Sequence, residues 1–128
     1  MTWVADASVV AAYLLGRGTV VERAAMLEDV HAPSLLDIEV THTLRGLLRG
    51  GKIDVAAADQ GREELAQLGV RRHVDAPLLR RAWELRDVCT TYDALYVALA
   101  EALDATFVTR DARLARGVGA LVDVAAAS

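Results

Sequence analysis

Residues 90–114 read TTYDALYVALAEALDATFVTRDARL. Within this stretch, Ala94 to Leu103 is apolar on nearly every side, with Glu101 its only charge. A helix of that kind is predicted to lie buried in the middle of a fold. Thr106 to Val108 then reads as a short strand, followed at once by a turn holding Asp111. A buried helix feeding a short apolar strand is a building unit of α/β folds.

The same alternation extends outward in both directions. Trp3 to Ala5, Val30 to Ala32, Val70 to Val74 and Leu121 to Val124 are further apolar runs of strand length. Between them, Leu35 to Arg49 places Leu36, Val40, Leu44 and Leu47 on one helical stripe, and Leu78 to Cys89 aligns Leu78, Ala82, Leu85 and Cys89. The predicted fold is α/β: a three-layer α/β/α sandwich around a mainly parallel sheet of four to five strands. The length of 128 residues predicts one domain, residues 1–128. A chain of this size buries roughly two-thirds of the surface it exposes when unfolded, so it needs no staples.

Eighteen acidic residues against fourteen basic ones leave a net charge of −4. That balance argues against a non-specific nucleic-acid binder, which carries a broad basic field. Cys89 is the sole cysteine, so no intrachain disulfide can form, and a reducing, cytoplasmic compartment is expected. The uncharged run Ala7 to Gly16 follows Asp6 without a basic leader and is too short to span a bilayer, so neither signal peptide nor membrane anchor is expected.

Four carboxylates stand where such a sheet concentrates its chemistry. Asp6 follows the first strand in VADASVV (residues 4–10), and Asp111 follows the fourth. Asp93 opens the buried helix, and Glu39 lies on the first long helix. Parallel sheets hold ligands outside the carboxyl ends of their strands, where these four can meet. Each also has a plainer role open to it: Asp6 and Asp111 as helix caps, Asp93 in a capping box on Thr90, Glu39 as a solvated flank. Periodicity alone does not prefer Glu39 over Asp37, which flanks the other side of the apolar stripe. Converging carboxylates repel one another, and a hard divalent cation is the natural compensation. An all-carboxylate set suits Mg²⁺ or Mn²⁺, one or two ions, and is poor for zinc. The chemistry it serves is phosphoryl transfer, and Thr109 can orient a carboxylate or a phosphate through its hydroxyl.

Taken in order, VADASVV, IEVTHTLRGL (38–47), YDALYVALAEAL (92–103) and VTRDARL (108–114) resemble the PIN-domain family. Within that family they are similar to the VapC-type toxin ribonucleases. The resemblance carries the catalytic, metal-holding quartet onto Asp6, Glu39, Asp93 and Asp111, and it is what selects Glu39 over Asp37. The hydroxyl of the family's T-x-D segment falls on Thr109. The resemblance further implies a Mg²⁺- or Mn²⁺-dependent endoribonuclease cutting structured RNA such as tRNA or rRNA loops. It implies a homodimer and a cognate antitoxin whose tail covers the site. An acidic pocket is also a receptor for an inserted Arg, through bidentate hydrogen bonds.

Arg45 and Arg49, with Lys52, project from the Glu39 helix away from its apolar stripe, while Arg110 and Arg113 flank Asp111. Both groups are candidates for guiding an RNA backbone, with a solvated helix face as the plainer alternative. Trp83 and Tyr92 are candidates for stacking unpaired bases, although a protein interface is the preferred reading for Trp83. His31, His42 and His73 are scattered without metal-ligand spacing and are read as structural; Cys89 is read as a small buried apolar group. Two other classes share parts of this pattern. A catalytically silent module would keep the fold and lose the quartet, which is intact here. A phospho-acceptor receiver domain needs a Lys after its last strand, and Lys52 is the only Lys. Setting the quartet aside leaves fourteen acids against fourteen bases, so the excess charge equals the proposed site. RNA binding is therefore expected to depend on divalent ion more than on a basic patch.

Overall fold

The computed structural model describes residues 1–125. Five short strands are laid down in chain order: β1 (Thr2–Ala5), β2 (Asp29–Pro33), β3 (Arg71–His73), β4 (Thr106–Val108) and β5 (Val124–Ala125). All neighbours are parallel and the sheet order is β3-β2-β1-β4-β5. The helices are α1 (Ala7–Leu14), α2 (Val20–Met26), α3 (Leu35–Arg49), α4 (Val55–Gln67), α5 (Leu79–Glu84), α6 (Thr91–Leu103) and α7 (Ala112–Val118). The chain steps outward from β1 to β3, then crosses back over to β4. Helices α1 to α4 contact one another, and α5 packs on α6; the right-handed crossovers usual in parallel sheets put these two groups on opposite faces. The three-layer α/β arrangement is the one the alternation predicted.

Ala94 through Ala100 of α6 are all buried, and the helix packs across β1, β2 and β4 with α5 against it. Phe107 and Val4, paired in register on the central strands, are fully buried beneath it. At its end, Asp104 takes a left-handed conformation (φ 50°), so that its own N–H reaches Glu101 O and Ala105 N–H reaches Ala100 O. A branched side chain is strained there. Asp104→Val is expected to cost about 1–2 kcal/mol, measurable by urea unfolding.

Beyond small extensions at the ends of β1 and β2 and at the start of α6, three elements depart from the sequence reading for a visible reason. The last strand is Val124–Ala125, because Leu121 and Val122 instead donate back to Val118 O in the turn that closes α7. The third strand is confined to Arg71–His73, with Val74 exposed beyond it. The run expected as one helix from Leu78 to Cys89 is a 3₁₀ turn (Ala76–Leu78) leading into α5, which stops at Glu84. Beyond it the bonds tighten to three-residue spacing, with Arg86 N–H on Trp83 O and Val88 N–H on Leu85 O. The apolar stripe survives that break, since Leu78, Ala82 and Leu85 are buried.

Candidate active site

The connections reverse direction between β1 and β4, and an open α/β sheet has its crevice at such a reversal, beyond the carboxyl ends. Asp6 leaves β1 and Thr109 to Asp111 leave β4, so chain positions far apart meet at this crevice. Asp6 is 7% exposed. Its Oδ1 caps α1 by accepting from Val9 N–H at 3.2 Å and also accepts from the Ser8 hydroxyl at 2.5 Å. Its Oδ2 accepts from the buried Thr109 hydroxyl. The same Thr109 oxygen accepts from Asp111 N–H at 3.1 Å, and Asp111 Oδ1 caps α7 through Leu114 N–H at 3.0 Å. The capping roles and the convergence thus coexist in the same side chains.

Asp93 sits in the first turn of α6, where its N–H donates to the capping Thr90 hydroxyl at 3.1 Å and its carboxylate is half-buried. With Asp111, Thr90, Cys89 and Arg113 it lines a cavity of about 300 Å³. Glu39 is also half-buried, and Oε1 accepts from the Tyr96 hydroxyl of α6 at 2.7 Å. Asp37, which periodicity could not separate from Glu39, is held elsewhere: its two oxygens take a bidentate pair from Arg72 at 3.0 and 3.2 Å. Of the two, only Glu39 faces the other acids.

The electrostatics tie the four together. Burial raises Asp6, Glu39 and Asp93 above the ordinary carboxylate range, against the hydrogen bonds that lower them. Neighbouring carboxylates push the same way: Asp93 on Asp6, Asp93 with Asp6 and Asp75 on Glu39, and Asp111 on Asp93. Among the described residues, no ion pair includes any of the four. Nor do three of the His, Cys, Asp or Glu side chains there close into a ready-made cage. An open, oxygen-only array of mutually repelling carboxylates fits a hard divalent cation that keeps part of its water shell, as Mg²⁺ does.

The basic candidates divide. Arg45 and Arg49 are exposed on α3, and Arg113 is exposed on the rim of the Asp93–Asp111 cavity. Arg110 departs from the expectation of an RNA contact. Its guanidinium is turned inward, donating to both oxygens of Glu22 at 2.7 Å and to Arg17 O at 2.8 Å. Glu22 is fully buried; its one signal in the sequence is the Thr19–Glu22 capping box opening α2, which says nothing of Arg110. The Tyr96–Glu39 bond also left no trace beyond an apolar-looking helix. Two of the three histidines are not scattered. His31 Nδ1 and His73 Nε2 lie 2.8 Å apart across β2 and β3, with His31 Nε2 at 2.9 Å from Asp29. Trp83 is 68% exposed, with the Arg86 guanidinium 4.9 Å above its ring. Cys89 is half-buried, which raises its thiol above the ordinary value.

A PIN-domain family model matches residues 4–119, which contain all four quoted segments. Ribonuclease VapC1 of Mycobacterium tuberculosis is 41% identical over 120 residues, covering 91% of this chain and 90% of that protein. VapC ribonuclease Mb0985 of Mycobacterium bovis is 39% identical over 111 residues, 87% of each chain. The crystal structure of PAE2754 from Pyrobaculum aerophilum aligns with a TM-score of 0.69 at 25% identity, over 96% of this chain and 92% of that one. The chain therefore belongs to the PIN-domain family, and its likeness within that family is to the VapC ribonucleases.

Proposed function

We propose that this chain is a divalent-metal-dependent endoribonuclease hydrolysing phosphodiester bonds in structured RNA, in tRNA or rRNA loops. In this reading it is the toxin of a type II toxin–antitoxin pair, acting in the cytoplasm. The carrying observation is that Asp6, Glu39, Asp93 and Asp111 face one crevice and, among the described residues, none of them is in an ion pair. The names of the VapC relatives support the ribonuclease and toxin parts of the reading.

The four carboxylates would hold Mg²⁺ or Mn²⁺, which when bound acidifies a water and stabilises charge on the scissile phosphate. The chain's own part is orientation. Ser8, Thr109 and the Val9 amide fix Asp6, and Tyr96 fixes Glu39, so the inner carboxylates cannot turn away. Exposed Arg113 on the cavity rim draws a phosphate backbone towards Asp93 and Asp111. The proposal includes a homodimer and an antitoxin whose tail reaches this crevice, where an inserted Arg would find bidentate acceptors. No helix among the described residues is long and apolar enough to cross a membrane.

The test is cleavage of folded tRNA or rRNA fragments with Mg²⁺ and with EDTA. Cutting in Mg²⁺ and none in EDTA is expected; cutting that EDTA leaves untouched would overturn the metal-dependent reading. A second expectation concerns stability. A carboxyl group raised in the folded state favours folding while protonated, and that contribution is lost as pH rises through the raised value. Bound Mg²⁺ offsets the resulting repulsion. The rise in Tm on adding Mg²⁺ should therefore be largest at neutral pH and fade as pH falls into the carboxylate range.

A further inference from the structure

We propose that Glu22, outside the acidic quartet, is a positioning residue for the metal site, acting through Arg110. The inference rests on the divalent-ion reading above and extends it to α2.

Arg110 stands between Thr109 and Asp111, so whatever fixes its backbone fixes both neighbours. Its side chain is pinned by three bonds: two to Glu22 and one to Arg17 O. Glu22 is itself immobilised, fully buried and accepting from Thr19 N–H at 2.7 Å as the α2 capping partner. A bidentate, charge-assisted fork of this kind sets direction as well as distance. On the other side, Arg110 N–H donates to the Ser8 hydroxyl at 3.2 Å, and that hydroxyl donates to Asp6. One continuous chain of bonds thus runs from Glu22 through Arg110 and Ser8 to Asp6. Thr109 and Asp111, each bonded within the site, are held on either side of the anchored residue. Partners that orient a metal's ligands typically govern affinity by about 10–100-fold.

The experiment measures Mn²⁺ affinity by the EPR signal of free Mn²⁺, at a temperature well below each variant's Tm. Wild type, Asp93→Asn, Glu22→Gln and Arg110→Lys are compared. Glu22→Gln keeps the shape, removes the charge and turns one acceptor into a donor facing the fork. It is expected to weaken Mn²⁺ binding at least about tenfold. Arg110→Lys keeps a positive charge beside Glu22 and loses the planar fork, so a smaller loss is expected. A folded Glu22→Gln protein with a lowered Tm and wild-type Mn²⁺ affinity would show a merely structural pair and overturn the inference. Should Glu22→Gln not fold, unchanged affinity in Arg110→Lys overturns it equally. Failure of the underlying reading looks different: wild type then binds no Mn²⁺, or Asp93→Asn binds it as well as wild type does.

Discussion

Replacing Asp93 with Asn is expected to reduce divalent-dependent RNA cleavage by at least about a hundredfold, because even groups behind the ligands commonly cost tenfold or more. The fold should survive. The Asp93 link to the Thr90 cap runs through its backbone N–H, which Asn retains. Among the described residues its carboxylate enters no ion pair. Burial and Asp111 both hold it above the ordinary range, so removing its charge relieves the metal-free protein at neutral pH. Urea unfolding without metal should show equal or greater stability than wild type, while a gel assay shows intact RNA. Wild-type cleavage by a folded Asp93→Asn protein would remove Asp93 from the site. Asp6→Asn is a less clean probe, since Asp6 accepts on both oxygens, from Val9 N–H and Ser8 on one and from Thr109 on the other, and Asn keeps only one of them as an acceptor.

The largest expected loss of stability comes from Arg110→Ala. It leaves Glu22 buried and charged without its partner, a change that costs about 3–5 kcal/mol in a fully buried pair and less here, where the Arg110 side chain is 38% exposed. Exposed pairs such as Arg71–Asp29 contribute at most about 1 kcal/mol. The pH dependence distinguishes the two cases. In the wild type, Glu22 is held below the ordinary Glu value by hydrogen bonds to Arg110 and Thr19 and by the Arg110 charge, all working against its burial. Its contribution is thus present above the ordinary value and lost as pH falls through the lowered one. In Arg110→Ala, burial acts with no opposing charge, and Glu22 takes up a proton at higher pH. The gap in urea midpoints between variant and wild type should be wide at neutral pH and narrow near about pH 4. A gap that is absent at neutral pH would show that the pair does not stabilise the fold.

How far the sequence reached follows from what kind of interaction each feature depends on. Helix α6, the parallel sheet and the crevice position of the acids were legible, because patterns along a few residues encode them. The choice between Asp37 and Glu39 was not, because it depends on Arg72, thirty-five residues away. Arg110 looked like an RNA contact for the same reason: a surface loop gives no hint of a buried carboxylate eighty-eight residues earlier. His31 and His73 look unrelated along the chain and become neighbours only through the β2–β3 register. Strand β5 was displaced because Leu121 and Val122 are apolar enough for a strand and are used in a turn.

The strand order also sets when the crevice can exist. β1 is made first and lies between β2 and β4, and the bond between Thr109 and Asp6 joins residues 103 positions apart. Translation at about 5–20 residues per second separates those two groups by on the order of 5–20 s. Throughout that interval the nascent chain carries Asp6 without Thr109 or Asp111 and cannot assemble the quartet. The crevice is therefore a late product of folding: β1 waits for β4, and any chemistry that needs these carboxylates together needs the centre of the sheet closed first.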